Sequence, residues 1–168
     1  RIGSATAKGL GLALDKPLIH IPTLEGMAYN LYGSSSVICP IMDARRNQVY
    51  TGVYRFSEGK LEVLEEQTAI AVEELIQKLN EKGEKVIFLG DGVPVYAEQL
   101  KEGLTIPFAF APANMNRQRA SSVGLLGIEY FKQGKTETAR EHQPDYLRVS
   151  QAERERNERE KAKESKNA

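Results

Sequence analysis

The chain has no tryptophan, a single cysteine and two histidines in 168 residues, and its charges cancel. Each shortage argues against a class of function. With Cys39 alone no internal disulfide forms, and its place inside an apolar run makes it a small buried hydrophobe. This fits a reducing, cytoplasmic setting. His20 and His142 lie far apart in sequence, so no His-x-x-x-His pair sets two imidazoles on one helix face, and no metal site is expected. His20, in a short apolar stretch, is read as buried and hydrogen-bonded. The 23 basic residues only match the 23 acidic ones, whereas a domain gripping nucleic-acid phosphates alone carries a clear basic excess. No apolar run approaches the roughly 18 residues of a membrane span. There is no Gly-x-Ser-x-Gly elbow and no Gly-x4-Gly-Lys-Ser/Thr phosphate loop. Gly9-Leu10-Gly11 mimics a dinucleotide fingerprint, but Leu14 stands where its last glycine belongs. No catalytic residue is nominated.

What is present is an α/β pattern. Val37–Met42 is nearly continuous apolar sequence, the signature of a strand buried on both faces. After the polar break Asp43-Ala44-Arg45-Arg46-Asn47, residues 48–56 alternate, with Val49, Thr51 and Val53 on one face and Tyr50, Gly52 and Tyr54 on the other. Strict alternation predicts a half-buried strand, and the short break predicts an antiparallel hairpin. Glu58-Gly59 is a second turn, followed by a third antiparallel strand over 61–70. Val72, Leu75, Ile76 and Leu79 define a helix with Glu73 and Glu74 in its first turn and Gly83 past its end. Strand 86–89, helix 93–102, a weak strand 107–111 and helix 119–132 follow.

Ahead of this lobe, residues 3–14 read as a helix with two rows of small residues, Gly3/Ala7/Gly11 and Ala5/Gly9/Ala13. Interior glycines cost about 0.5–1 kcal/mol each, a cost offset where a neighbouring element approaches closely. Leu18–Ile21 reads as a short strand. Thr23 is the expected N-cap of a helix to Tyr32, with Leu24, Met27, Ala28 and Leu31 at helical spacing. The chain offers too few strands in this part to cover both helices, so their apolar faces are expected to need a sheet from outside it. The division expected is 1–36 as trailing helices of an incomplete first lobe, 37–149 as a second lobe, and 150–168 as a charged helix and tail. That tail opens on a capping box, Ser150-Gln-Ala-Glu153.

Met42-Asp-Ala-Arg-Arg-Asn-Gln-Val-Tyr50 resembles the TsaB (YeaZ) family of bacterial tRNA-modification proteins. So do Arg1–Leu10, Pro17–Glu25 and Pro144–Glu153, in the family's order. The resemblance spans residues 1 to about 153 and begins in mid-motif, so an N-terminal set of strands looks missing. It implies an actin-like ATPase fold built of ribonuclease-H-like lobes, a mixed sheet flanked by helices.

The resemblance also implies a function. A member of this family is a non-catalytic partner of the TsaD-like catalytic subunit and of a TsaE-like ATPase, in the assembly that adds a threonylcarbamoyl group to the adenosine next to the tRNA anticodon. ATP and metal would then sit on partner subunits, this chain would hold no cofactor, and tRNA would be contacted indirectly. The family's first two helices serve both self-association and TsaD binding, which nominates Ala7, Leu10, Gly11, Leu14, Leu24, Met27 and Leu31. The competing reading is an actin-like ATPase or peptidase-like enzyme acting alone. Its cleft would use Asp43, Arg45, Gly90, Asp91 and Gly92 at strand ends, although a local Asp43–Arg45 pair and a tight turn explain the same residues. Arg148 suits either a buried anchor or a partner contact.

Overall fold

The computed structural model describes residues 2–147. Arg148 and the capping box lie outside the described residues. Helix α1 (Ile2–Leu14) leads through an extended segment to α2 (Thr23–Ala28), which tightens into a 3-10 turn at Tyr29–Leu31. Then come β1 (Val37–Asp43), β2 (Gln48–Ser57), β3 (Lys60–Ala71), α3 (Val72–Lys82), β4 (Val86–Leu89), α4 (Val93–Gly103), β5 (Phe108–Phe110) and α5 (Ala120–Lys132). The sheet order is β3-β2-β1-β4-β5. β1–β2 and β2–β3 are antiparallel, whereas β1–β4 and β4–β5 are parallel. Both expected hairpins form, and the parallel pairs are reached through α3 and α4, as strand-helix-strand crossovers require.

Helices cover both faces. Val37, Cys39 and Ile41 of β1, Val49 and Val53 of β2, and Val86 and Phe88 of β4 pack under α3 and α4. From these helices Val72, Leu75, Ile76, Leu79, Val93, Tyr96 and Leu100 complete the layer. On the other face Ile38, Tyr54 and Leu89 pack with Leu24, Met27 and Ala28 of α2. β2 is therefore buried on both sides through its middle, not half-buried. Tyr50, Tyr54 and Phe56 supply apolar surface to the second face, and an alternation of Val with Tyr does not separate core from solvent. Tyr54 folds back over Gly52, where an added Cβ would lie 2.5 Å from its hydroxyl.

Three local expectations need correction. Leu18–Ile21 is not a strand; a single antiparallel bridge joins Leu18 to Glu137. Thr23 lies inside α2, and Pro22 holds the N-cap position with no side-chain cap. The α2 apolar face needs no sheet from elsewhere, because β1 and β2 supply it. α3 ends as expected, with Gly83 left-handed at φ 70° and its amide bonded to Leu79 O.

Candidate functional site

α1 buries a single residue, and α5 shares its exposed apolar surface, with Leu125, Ile128 and Phe131 also exposed. In α1, Ile2, Leu10, Leu12 and Leu14 are 86%, 58%, 58% and 64% exposed, and the one buried residue is Gly11. Gly11 is occupied within the chain, since an added Cβ would meet Leu18 Cδ2 and Lys16 O at 3.1 Å and Ala139 Cβ at 3.3 Å. At Gly9, on the other small-residue row, an added Cβ meets nothing within 4 Å. The residues nominated for a partner surface thus divide. Leu10 and Leu14 are exposed. Ala7 is exposed but lines a groove. Leu24 and Met27, at 1% and 0% exposure, are core residues, and Leu31 packs partly buried beside them, so these three are withdrawn from the surface. Gly11 is withdrawn for the packing just described. Helical periodicity marks an apolar face but does not say what covers it.

The groove beside α1 has a volume of about 760 Å³. Gly3, Ser4 and Ala7 form one wall, the segment from Ile19 to Leu24 the floor, and residues 144–147 the rim. Gln67 Nε2 donates to Asp145 Oδ2 at 3.0 Å across it.

At the strand ends, the β1–β2 loop turns through consecutive left-handed residues Arg45, Arg46 and Asn47, with φ of 65°, 53° and 58°. A non-glycine residue there costs on the order of 1–2 kcal/mol. Hydrogen bonds offset that cost. Ala44 N donates to Gln48 O (2.9 Å), and Val72 N donates to Asn47 O (3.1 Å). Asp43 Oδ1 accepts from Arg45 N at 2.8 Å and from the Tyr96 hydroxyl at 2.9 Å. The Arg45 amide, helped by Tyr96 and the Arg45 charge, holds the Asp43 carboxyl below its usual range. Asp91 Oδ1 accepts from Asp43 N at 3.3 Å. Gly90 has φ 113°, and a Cβ there would fall 2.1 Å from Ile41 O. Gly92 N donates to Ile41 O at 3.1 Å. The fold thus gathers the cleft residues Asp43, Arg45, Gly90, Asp91 and Gly92, and each contact described for them is made within the chain.

Two polar features escaped the sequence. Glu25 in α2 is buried and accepts the Tyr130 hydroxyl of α5; burial raises its carboxyl pKa, opposed by that hydrogen bond. Its acidic residue in an otherwise apolar helix was the available signal. The second is the pair of histidines. The Leu18–Glu137 bridge brings His20 and His142 together with ring centroids 5.7 Å apart, and His142 Nδ1 lies 2.6 Å from Glu137 Oε1. Sequence distance had set them apart. His20 is half-buried in an extended segment and not enclosed in a strand.

Comparison with known proteins now decides the family. The family model described as TsaD, tRNA N6-adenosine threonylcarbamoyltransferase, matches residues 1–156. The tRNA threonylcarbamoyladenosine biosynthesis protein TsaB of Bacillus subtilis (strain 168) is 34% identical over 155 residues, covering 91% of this chain and 65% of that protein. The chain belongs to the TsaB (YeaZ) family. TsaB of Escherichia coli (strain K12) is 28% identical over 153 residues, covering 88% of this chain and 64% of its own length. The chain thus spans just under two thirds of the curated relatives it matches. YeaZ from Pseudomonas aeruginosa superposes with a TM-score of 0.69 at 20% identity, over 87% of this chain and 67% of that one. A crystal structure described as an uncharacterized protein with similarity to peptidase YEAZ from Pseudomonas aeruginosa gives 0.71 at 22%, over 88% and 67%. These neighbours and the family match make the fold actin-like ATPase in class. Among the described residues no helix is long and apolar enough to cross a membrane.

Proposed function

We propose that this chain takes part in tRNA threonylcarbamoyladenosine biosynthesis as a non-catalytic subunit that docks the TsaD-type catalytic subunit through α1. The exposed leucines of α1 carry this reading. Leu10 and Leu14, one turn apart, leave an apolar stripe of α1 uncovered, Leu12 is exposed on another side of the helix, and at Gly9 nothing in the described chain fills the space beside the backbone. The family names of the relatives supply the pathway, and the neutral overall charge favours indirect contact with tRNA. The same face serves self-association, so homodimer and TsaD-bound states exclude one another, and a TsaE-type ATPase joins the assembly.

The test uses Leu10→Arg with Leu14→Arg in the full-length protein, chosen because both side chains are exposed and the fold does not depend on them. Burying an unpaired charge in an interface costs several kcal/mol. Binding to the TsaD-type subunit, followed by calorimetry, is expected to fall at least a hundredfold while the circular dichroism spectrum is unchanged. Binding at wild-type strength would place the docking surface elsewhere. ATP turnover by the protein alone, above an Asp43→Ala control, would favour the enzymatic alternative.

A further inference from the structure

The geometry points to a transition-metal site of the Zn²⁺ class at His20, Glu137 and His142. Each residue offers one ligand atom, and these atoms lie within 4.8 Å of one another. Two imidazoles and one carboxylate form a donor set suited to Zn²⁺, Co²⁺, Ni²⁺ or Cu²⁺; Mg²⁺ and Ca²⁺ prefer oxygen ligands throughout.

Local structure holds the three in place from separate parts of the chain. Leu18 N donates to Glu137 O at 2.8 Å and Glu137 N to Leu18 O at 3.0 Å, fixing the strand-like approach that presents His20. Between Glu137 and His142 the chain turns, with Thr138 N donating to Glu141 Oε2 at 3.0 Å and His142 N to Thr138 O at 3.0 Å. Lys8 Nζ of α1 donates to His142 O at 2.7 Å, tying the same turn to the first helix. These contacts fix the backbones, so the ligand atoms need only small side-chain rotations.

Tetrahedral Zn²⁺ with bonds of about 2.0 Å sets its ligand atoms about 3.3 Å apart. The 2.6 Å between His142 Nδ1 and Glu137 Oε1 is instead a hydrogen-bond distance. A metal entering the cluster through His142 Nδ1 displaces that proton to solvent, and Glu137 and His142 move apart from hydrogen-bond to ligand spacing. Proton and metal thus compete for the same lone pairs. Three protein ligands leave a fourth position free for water or a partner's side chain. His20 borders both the 760 Å³ groove and a second cavity of about 320 Å³, so that position has an open approach. A bound ion would clamp the segment after α1 to the chain that follows α5.

The chain contains two histidines, both in this cluster, and its one cysteine is buried in β1, so an imidazole-dependent site has no competitor. The untagged protein, freed of metal by chelation, is titrated with Zn²⁺ against a chromophoric chelator and with Co²⁺ by visible absorption. The expected result is one ion per chain and a four-coordinate Co²⁺ spectrum. His20→Asn, His142→Asn and Glu137→Gln each weaken Zn²⁺ binding at least about tenfold. Glu137→Gln preserves shape and so decides the matter if a histidine variant misfolds. No saturable binding at micromolar Zn²⁺, or binding that survives the histidine substitutions in folded protein, overturns the assignment.

Discussion

The two faces of the sheet are built to different standards. Beneath α3 and α4 the packing is apolar almost throughout, and the buried Thr51 hydroxyl is satisfied by Pro40 O at 2.9 Å. The opposite face, under α2, encloses Glu25, Asn30 and the Tyr54 hydroxyl, and beyond it α1 leaves its leucines in solvent. Among the described residues the buried side-chain atoms without a hydrogen-bond partner, Asn30 Oδ1 and Tyr54 Oη, both belong to that side. The first face is therefore self-sufficient. The second carries polar groups and uncovered apolar surface at some cost in stability.

The sharpest way to break this contrast is to truncate a leucine on each side. Leu79→Ala removes a fully buried side chain and is expected to cost about 3–4 kcal/mol in urea unfolding. Leu12→Ala in α1 is expected to stay within about 0.5 kcal/mol of wild type. Equal losses would mean that α1 is covered within the isolated protein. A smaller effect of opposite sign is expected at Tyr54→Phe. Removing a buried hydroxyl that lacks a partner should raise stability by about 1 kcal/mol, read as a higher melting temperature; a loss of that size would reveal a hidden partner.

The smallest effect concerns Glu25. Burial makes its carboxyl harder to ionise in the folded chain than in the unfolded one, where the usual value is 4.5. The folded state therefore holds the proton more tightly. Its contribution to stability is complete below 4.5 and is lost as pH rises through the raised value, so at pH 7 the ionised form is a burden. Glu25→Gln keeps an oxygen for the Tyr130 hydroxyl and should gain about 0.5 kcal/mol at pH 7, a gain that vanishes toward pH 4. A pH-independent difference would show that charge is not its source.

The self-sufficient face was also the legible one. Val72, Leu75, Ile76 and Leu79 specify both a helix and its buried side, and the polar break at 43–47 specifies a hairpin, because these signals are local. On the other face the sequence signals were ambiguous. Leu24 and Met27 at i, i+3 and Leu10 and Leu14 at i, i+4 are equally helical in spacing, yet one pair is core and the other exposed, since only tertiary contacts distinguish them. The tyrosines of β2 read as readily for solvent as for core. His20 and His142 meet because of one bridge between remote segments, and no local pattern encodes it. The glycines at 90 and 92 were visible in sequence, but the Ile41 carbonyl against which they pack was not.

The burial of Cys39 equips the protein with its own clock for unfolding. The thiol lies in β1, between β2 and β4, with no exposed surface, and burial pushes its pKa up to about 12. A thiol reagent needs both access and a thiolate, and the folded chain offers neither. Fraying of α1 or opening of the groove leaves Cys39 protected, so labelling must await separation of the central strands. The rate at which a maleimide marks the native protein would thus report global opening alone, without any engineered probe.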